Sequence, residues 1–546
     1  LVNLAEGILS NGTWKFILAE TKLNNQTAEG AQKVYERLST DRDQYTQRAE
    51  KNATYTIPQL FPKESDDGGT AYTTPYNSIG ARGLNNLASK LLLSLLPPGQ
   101  PFFRLGLDTA SNEALQASGN DQVKDTIEYG LSMMEAAMVK YMEHNGLRPT
   151  LFECIKQLLI AGNALLFLPP LEGGMKCYTL RNFVVERDAI GNVLQIVARD
   201  TLAQGTIPPS VLSLLGNAGN EVNRSEKVNI YTHTYLVRGD TLEGSTWESY
   251  QEVNNTIIPG SEQTYPYGKC PWIPVRFTKK DGESYGRSFV EDYLGDLISL
   301  ENLQHAINDM AMICAKVLYL VSPSCQTNIK ALTKAENGAF VRGRQDDIVA
   351  MQTNKQTDLQ GCYVVSQGIE QRLSYCFMLS STTAQITRDR VTAEEIRYIA
   401  QELEDTLGGV YSLLSQELQL PLVSCIFNQM QSNGSLPTIS EQFATIEPTV
   451  ITGVDALGRG HDFANLAQAL QVLAQFPDIM QMINQQNLAM RIFTSAQIDA
   501  TGLVKSPEQV AKEQQAMMEQ YAAQQGIDAQ AQMAVDNNKA QQEQGV

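Results

Sequence analysis

Between Ser288 and Val321 the chain keeps apolar residues on one face of a single long helical repeat. Phe289, Tyr293, Leu297, Leu300, Leu303, Ile307, Met310, Cys314 and Val317 follow one another at spacings of three and four. The pattern predicts a helix roughly 50 Å long. Glu291, Asp292, Glu301 and Asp309 occupy the other face. A helix of that length seldom fits inside one small domain. It either packs against copies of itself as a rod-like stem or pairs with a helix of its own chain, and the pattern leaves both open.

The segments on either side sharpen this reading. Residues 322 to 360 lack long periodicity and contain Pro323, Gly338 and Gly343, which predicts a small loop-and-strand module. Helical pattern returns from Ile369 to Leu379. A long helix, a small module and a returning helix describe an excursion from a main body.

Upstream, helices are expected over 28–56 (Val34, Leu38 and Tyr45 inward), from Ile79 to Leu96 before Pro97-Pro98-Gly99, and from Asp121 to Glu143. Thr150 and Glu153 suggest a capping box for a further helix to Ala161. From Ala164 to about 278 the runs are short and β-rich, with a hairpin turn at Asp188 to Asn192. The fold class expected is α+β, mainly helical, with an antiparallel β region in a helical frame.

Downstream, the run from Arg390 to Val423 opens as a well-specified helix. Thr392 as N-cap and Glu395 make a capping box, and Val391 with Ile396 makes a hydrophobic staple. Ile396, Ile399, Leu403, Leu407, Tyr411, Leu414 and Leu418 form its apolar face. Gly408-Gly409 predicts a bend, and Pro421 an end or kink. Just before it, the polar segment SSTTAQITRDR carries Arg388 and Arg390. A strand at Thr449 to Val454 and helices near 462–476 and 480–494 follow. The last 46 residues hold 11 Gln and 8 Ala, a composition for a surface helix or for disorder.

Composition excludes several functions. A net charge of -18 argues against gripping nucleic acid over the whole surface. It still permits a small basic element, or a pore whose acidic wall keeps DNA from sticking. The eight cysteines contain no CxxC pair and read as small buried residues in a reducing compartment. No signal peptide is expected from the N-terminal residues, and no run is long and apolar enough to span a membrane. There is no G-x-x-x-x-G-K-[ST] motif, and His144, His233, His305 and His461 lack zinc spacing, so no cofactor and no metal are expected.

Gly282-Glu283-Ser284-Tyr285-Gly286 matches G-x-S-x-G. However, Lys279-Lys280-Asp281 separates it from the preceding strand, and only His305 and His461 follow it. A turn before a helix is the better reading, with a serine hydrolase using Ser284 as the alternative. Glu402, Glu404 and Asp405 read as a solvated helix face. Arg388 and Arg390 read as surface salt-bridge partners unless many copies converge on one axis.

Three long strings carry a family resemblance: GARGLNNLASKLLLSLLPPGQPFFRL (80–105), DGESYGRSFVEDYLGDLISLENLQ (281–304) and RVTAEEIRYIAQELEDTLGGVYSLLSQELQLPLV (390–423). YERLSTDR (35–42), YTIPQLFPKESD (55–66), VERDAIGNVLQ (185–195) and GRGHD (458–462) add to it. Over residues 28 to 500 the chain resembles the portal, or head-to-tail connector, proteins of short-tailed, podovirus-type bacteriophages with a single-subunit RNA polymerase.

The resemblance implies a non-enzymatic ring of about twelve subunits at one capsid vertex, through which DNA is packaged and ejected. It implies an N-terminal extension (1–24), a wing (25–286), a stem helix (287–321), a clip (322–361) and a second stem helix (362–380). A tunnel loop (381–391), a wing helix (392–431), a crown (432–505) and a Gln/Ala-rich tail (506–546) follow. Arg388 and Arg390 would face DNA from the tunnel loop, supported by the Thr392–Glu395 cap, and Arg342 and Arg344 would be basic candidates on the clip. The partners implied are further copies of the chain, double-stranded DNA, terminase, tail adaptor or tubular protein, and scaffolding, major capsid and internal core proteins. No membrane is implied. The location implied is the head–tail junction of the virion, after assembly in the host cytoplasm. The alternative within virions is another ring component such as a tail adaptor.

Overall fold

A computed structural model of the chain describes residues 29–98, 102–107, 121–169, 174–212, 214, 226–239, 244–315, 318–351, 356–379, 402–403, 406–407, 409–436, 448–452 and 471. The chain divides into two units. The larger comprises Leu1–Arg104, Ala137–Leu436 and Val450–Asp455; the smaller comprises Leu105–Ala136, Pro437–Thr449 and Ala456–Val546. Of the smaller, the described residues include the start of helix Asp121–His144, where Ile127 and Leu131 are buried. The strand expected near Thr449 is present at Pro448–Thr452.

In the larger unit, helix α1 (Ala31–Thr54) turns Val34, Tyr35 and Leu38 onto Val184, Val197 and Tyr231. Its first N–H groups have no intrahelical partner. A carboxylate distant in sequence serves them: buried Glu252 accepts from Ala31 N at 2.7 Å and Gln32 N at 3.2 Å. Helix α2 (Ile79–Leu95) ends before Pro97-Pro98, and its last carbonyls are met by side chains. Ser94 O accepts from the Tyr411 hydroxyl, Leu95 O from Gln419 Nε2, and Leu96 O from Arg148 Nη1.

Helix α3 (Asp121–His144) enters the larger unit at Ala137 and is followed at once by α4 (Leu147–Ala161). The capping box expected at Thr150 does not form, because α4 starts three residues earlier. Gly146 takes a left-handed conformation (φ 62°) that breaks α3 and launches α4. Thr150 then lies within the first turns, and Pro149 is tolerated there because its nitrogen needs no intrahelical acceptor.

Two antiparallel sheets form the expected β region. Strands β1 (Asn163–Phe167), β2 (Lys176–Thr179) and β9 (Trp272–Arg276) order as β9-β1-β2. Strands β3 (Phe183–Arg187), β4 (Val193–Ala203), β5 (Lys227–Val237), β6 (Thr246–Val253) and β7 (Thr256–Ile257) follow chain order. Strand β8 (Gln263–Pro266) also pairs with β6. The β3–β4 hairpin turns where expected: Asp188 Oδ1 accepts from Ile190, Gly191 and Asn192 N, and Gly191 supplies a φ of 103°.

A buried polar chain runs across this sheet. Tyr250 OH lies 3.0 Å from His233 Nδ1, His233 Nε2 lies 2.9 Å from Gln195 Oε1, and the Gln195 amide donates to Glu186. Both ring nitrogens are thus satisfied with the imidazole neutral. Burial, with a smaller push from the Arg37 charge, lowers the His233 pKa from 6.5 to about 4. Because the folded value lies below the unfolded one, the stabilisation is complete above pH 6.5 and is lost as pH falls toward 4. The difference corresponds to about 3 kcal/mol. Urea unfolding at pH 7 and pH 4 should show that much more acid destabilisation in the parent chain than in His233→Gln; equal pH dependence would contradict it.

The run from Gly409 to Ser432 is interrupted at Gly409, as expected, but does not end at Pro421. Gly409 (φ 86°) precedes a short helix, Val410–Leu414. A π-helical turn, Ser415–Gln419, then leads into helix Leu420–Ser432, which continues through Pro421. The wider turn relieves the clash a proline ring makes with the carbonyl four residues back. Its buried face, with Tyr411, Leu414, Leu418, Leu422 and Ile426, follows the apolar stripe of the sequence.

Candidate assembly surface

Helix α5 (Phe289–Ala315) is the long helix of the sequence. Its root is fixed by close backbone packing. Ser288 Oγ accepts from Glu291 N at 3.1 Å, an N-cap bond. Buried Asn52 donates to Ile160 O and to Ser288 Oγ. Asn163 exchanges two hydrogen bonds with Gly286, at 2.7 and 2.9 Å. A Cβ on Gly162 (φ 71°) would lie 2.5 Å from the Arg287 carbonyl carbon, and one on Gly286 would lie 2.8 Å from Gly162 O.

This packing explains the G-x-S-x-G match. Gly282 supplies a φ of 74° in the turn, Glu283 pairs with Arg287, and buried Tyr285 accepts Val185 N at its hydroxyl. Gly286 provides the close approach. Ser284 sits in this turn before α5, and His305 stands about 25 Å further along the helix axis, exposed and paired with Asp309. The two do not meet.

Burial fades along α5. Phe289, Val290, Leu297 and Leu300 are buried, whereas from Glu301 to Ile313 no residue is, and Met312 is 64% exposed. Helical periodicity was expected through Val321; instead Leu318–Val321 is strand β10, paired antiparallel with β11 (Ile348–Met351). Leu-Tyr-Leu-Val suits a strand once a partner is supplied, and that partner is distant in sequence. Helix α6 (Gln356–Cys376) begins well before the expected Ile369. It returns antiparallel to α5: Arg372 reaches Asp296 at 3.0 Å, and Phe377 packs on Phe289.

Ser366, Ile369 and Leu373 are buried on α6, but Tyr363, Val364 and Val365 face solvent, Val364 at 62%. The module between the helices repeats this. Tyr319, Leu320, Val349 and the short helix residues Ile329 and Leu332 are exposed, and Phe340 is entirely so. Asp347 gives the module its internal order, accepting from Gln326 N, Thr327 N and Thr327 Oγ1. The Thr327 hydroxyl is the first cause holding its carboxyl below the usual range. One end of a helical hairpin thus presents apolar side chains on every element. Exposed large apolar side chains grouped on neighbouring elements mark protein–protein contact surfaces.

Arg342 and Arg344 are exposed on this module. Arg388, Arg390, Thr392 and Glu395 lie outside the described residues, as do Glu404 and Asp405. Glu402 is not a plain solvated residue: it lies 3.8 Å from the ammonium of Lys90, a buried cation that sequence reasoning passed over. The available signal was a lysine inside the apolar string LASKLLLSL. Among the described residues, no three His, Cys, Asp or Glu side chains are grouped to hold a metal, and no helix is long and apolar enough to cross a membrane.

The chain is similar to several known proteins. The portal protein of Enterobacteria phage T3 is 48% identical over 516 residues, covering 94% of each chain. The portal protein of Escherichia phage T7 is 46% identical over 510 residues, covering 92% of each, and that of Enterobacteria phage SP6 is 29% identical over 454 residues, covering 82% of this chain and 84% of its own. A chain from the neck of an empty gene transfer agent particle is more distantly similar, at 12% identity and a TM-score of 0.34 over 72% of this chain and 86% of that one. The family model for the bacteriophage head to tail connecting protein matches residues 28–504, and the chain belongs to that family.

Proposed function

We propose that this chain is the subunit of a portal ring of about twelve copies at a unique capsid vertex, with no catalytic activity of its own. The ring stands at the head–tail junction of the virion, between capsid and tail. It is a passive conduit for double-stranded DNA during packaging and ejection, and it assembles in the host cytoplasm. Terminase docks on it first and tail adaptor proteins later, and scaffolding, major capsid and internal core proteins are its further partners. It also nucleates procapsid assembly.

The observation that supports this reading best is the unpartnered apolar end of the α5–α6 hairpin. A single subunit leaves Met312, Tyr319, Leu320, Phe340 and Val364 in water, and neighbouring copies would cover such a surface. Helices α5 and α6 then serve as the stem, and the module between them, with strands β10 and β11, serves as the clip and carries Arg342 and Arg344 on its surface. The wing would comprise 25–286 and 392–431, the crown 432–505, and residues 381–391 the tunnel loop. The net charge of -18 suits a conduit that DNA must slide through.

Electron microscopy of the purified full chain tests the ring: annular particles with a central hole are expected, and monomers under all conditions would overturn the proposal. The loop assignment has its own test. Arg388→Ala with Arg390→Ala should leave rings intact and impair DNA packaging or retention. Normal packaging and normal retention would remove these arginines from the DNA path.

A further inference from the structure

We infer that Lys90 is a positioning residue that fastens both flanks of segment 379–401 to helix α2. The functional meaning of that segment rests on the tunnel-loop reading above; the fastening itself rests on geometry alone.

The first flank is the end of α6. Phe377 N, Met378 N and Leu379 N donate to Leu373 O, Tyr375 O and Ser374 O, at 2.9, 3.0 and 2.8 Å. The last two bonds form a Schellman ending with Met378 at the left-handed position, φ 55°. Glycine usually occupies that position, because a Cβ is strained there. A methionine persists in it only where the surroundings over-determine the backbone.

The surroundings are one face of α2, where Gly83, Asn86 and Lys90 follow at spacings of three and four. Gly83 leaves room for Phe377: a Cβ there would lie 2.4 Å from the ring's Cγ. Asn86 Nδ2 donates to Phe377 O at 3.1 Å and to Met378 O at 3.0 Å. Lys90 Nζ donates to Met378 O at 3.3 Å. Three residues of one helix face thus capture two consecutive carbonyls and one ring.

The second flank is Glu402. Its carboxylate lies 3.8 Å from the same Lys90 ammonium, whose side chain is only 3% exposed. A buried cation is unfavourable unless it is paired and hydrogen-bonded. Lys90 finds its hydrogen-bond acceptor, Met378 O, before the segment and its ion-pair partner, Glu402, after it. One buried charge therefore holds the points where the segment leaves and rejoins the described fold.

Amide hydrogen exchange on the purified full-length chain tests this. Lys90→Met keeps the side-chain volume and removes the charge. It should accelerate exchange roughly tenfold in peptides at 377–379 and at 402–407, with the β region and α5 unchanged. Glu402→Gln should accelerate the 402–407 side alone, and Asn86→Ala the 377–379 side alone. A purely structural role for Lys90 would instead accelerate exchange throughout α2 and its neighbours. If Lys90→Met does not fold, Glu402→Gln decides: acceleration confined to 402–407 supports the clamp, and unchanged or global exchange overturns it. Failure of the chain to form rings would refute the portal reading and leave this exchange pattern untouched.

Discussion

Replacing Glu417 by Ala should lower the unfolding free energy by about 3–5 kcal/mol, since it strands buried positive charge. Glu417 lies in the π-helical turn and accepts from Arg276 N at 3.0 Å, Nε at 3.1 Å and Nη2 at 2.5 Å. Arg276 is 2% exposed. A second guanidinium, that of Arg187, stands close by and donates to Gly191 O and Pro274 O. Burial, and next the Arg276 charge, pull the Arg187 pKa down to about 10, with Glu417 opposing. Without Glu417 two neighbouring cations remain and the carboxylate is gone. Urea denaturation of Glu417→Ala measures the loss, and Glu417→Gln separates charge from hydrogen bonding. A change under about 1 kcal/mol in both would mean that the pair is hydrated in solution rather than buried.

A charge placed on the far end of the hairpin should abolish assembly and spare the fold. Met312→Glu combined with Val364→Glu puts two carboxylates where a single subunit already meets water. Monomer stability should change by no more than about 0.5 kcal/mol per site, the usual range for surface substitutions. Across a ring interface the same carboxylates would be desolvated without partners, and rings should disappear from micrographs. Leu373→Glu is the contrast, because Leu373 is fully buried within the subunit and its variant should fail to fold. Rings of normal yield from the double variant would show that this surface does not join copies.

Elements governed by local pattern were legible in the sequence, and those governed by distant partners were not. Phe289, Leu297 and Leu300 marked the buried face of α5 because helical spacing is a local property. The same spacing ran on through Val317 and hid strand Leu318–Val321, whose identity depends on pairing with Ile348–Met351. Thr150 and Glu153 satisfied a capping pattern, but Gly146 had already started the helix. Asp188 to Asn192 was readable as a turn because its hydrogen bonds stay within five residues. The turn at Gly282 to Gly286 was readable because Lys279-Lys280-Asp281 separates it from the preceding strand, but the close approach of Gly286 to Gly162 was not, since the two lie far apart in the chain. Lys90 with Glu402 and Arg276 with Glu417 join segments far apart in the chain, and no periodicity points to either pair.

The contrast between the two ends of α5 makes temperature a selective variable. The root is held by hydrogen bonds of Asn52, Asn163 and Ser288 and by backbone contact at Gly162 and Gly286. Contacts made by Met312, Tyr319, Leu320 and Val364 would be driven instead by release of water from apolar surface, a force that fades on cooling. Association of this kind carries a negative heat capacity change. In the proposed ring, chilling should therefore loosen the joints between subunits while each subunit stays folded, so that subunits exchange between rings more readily near freezing than at room temperature.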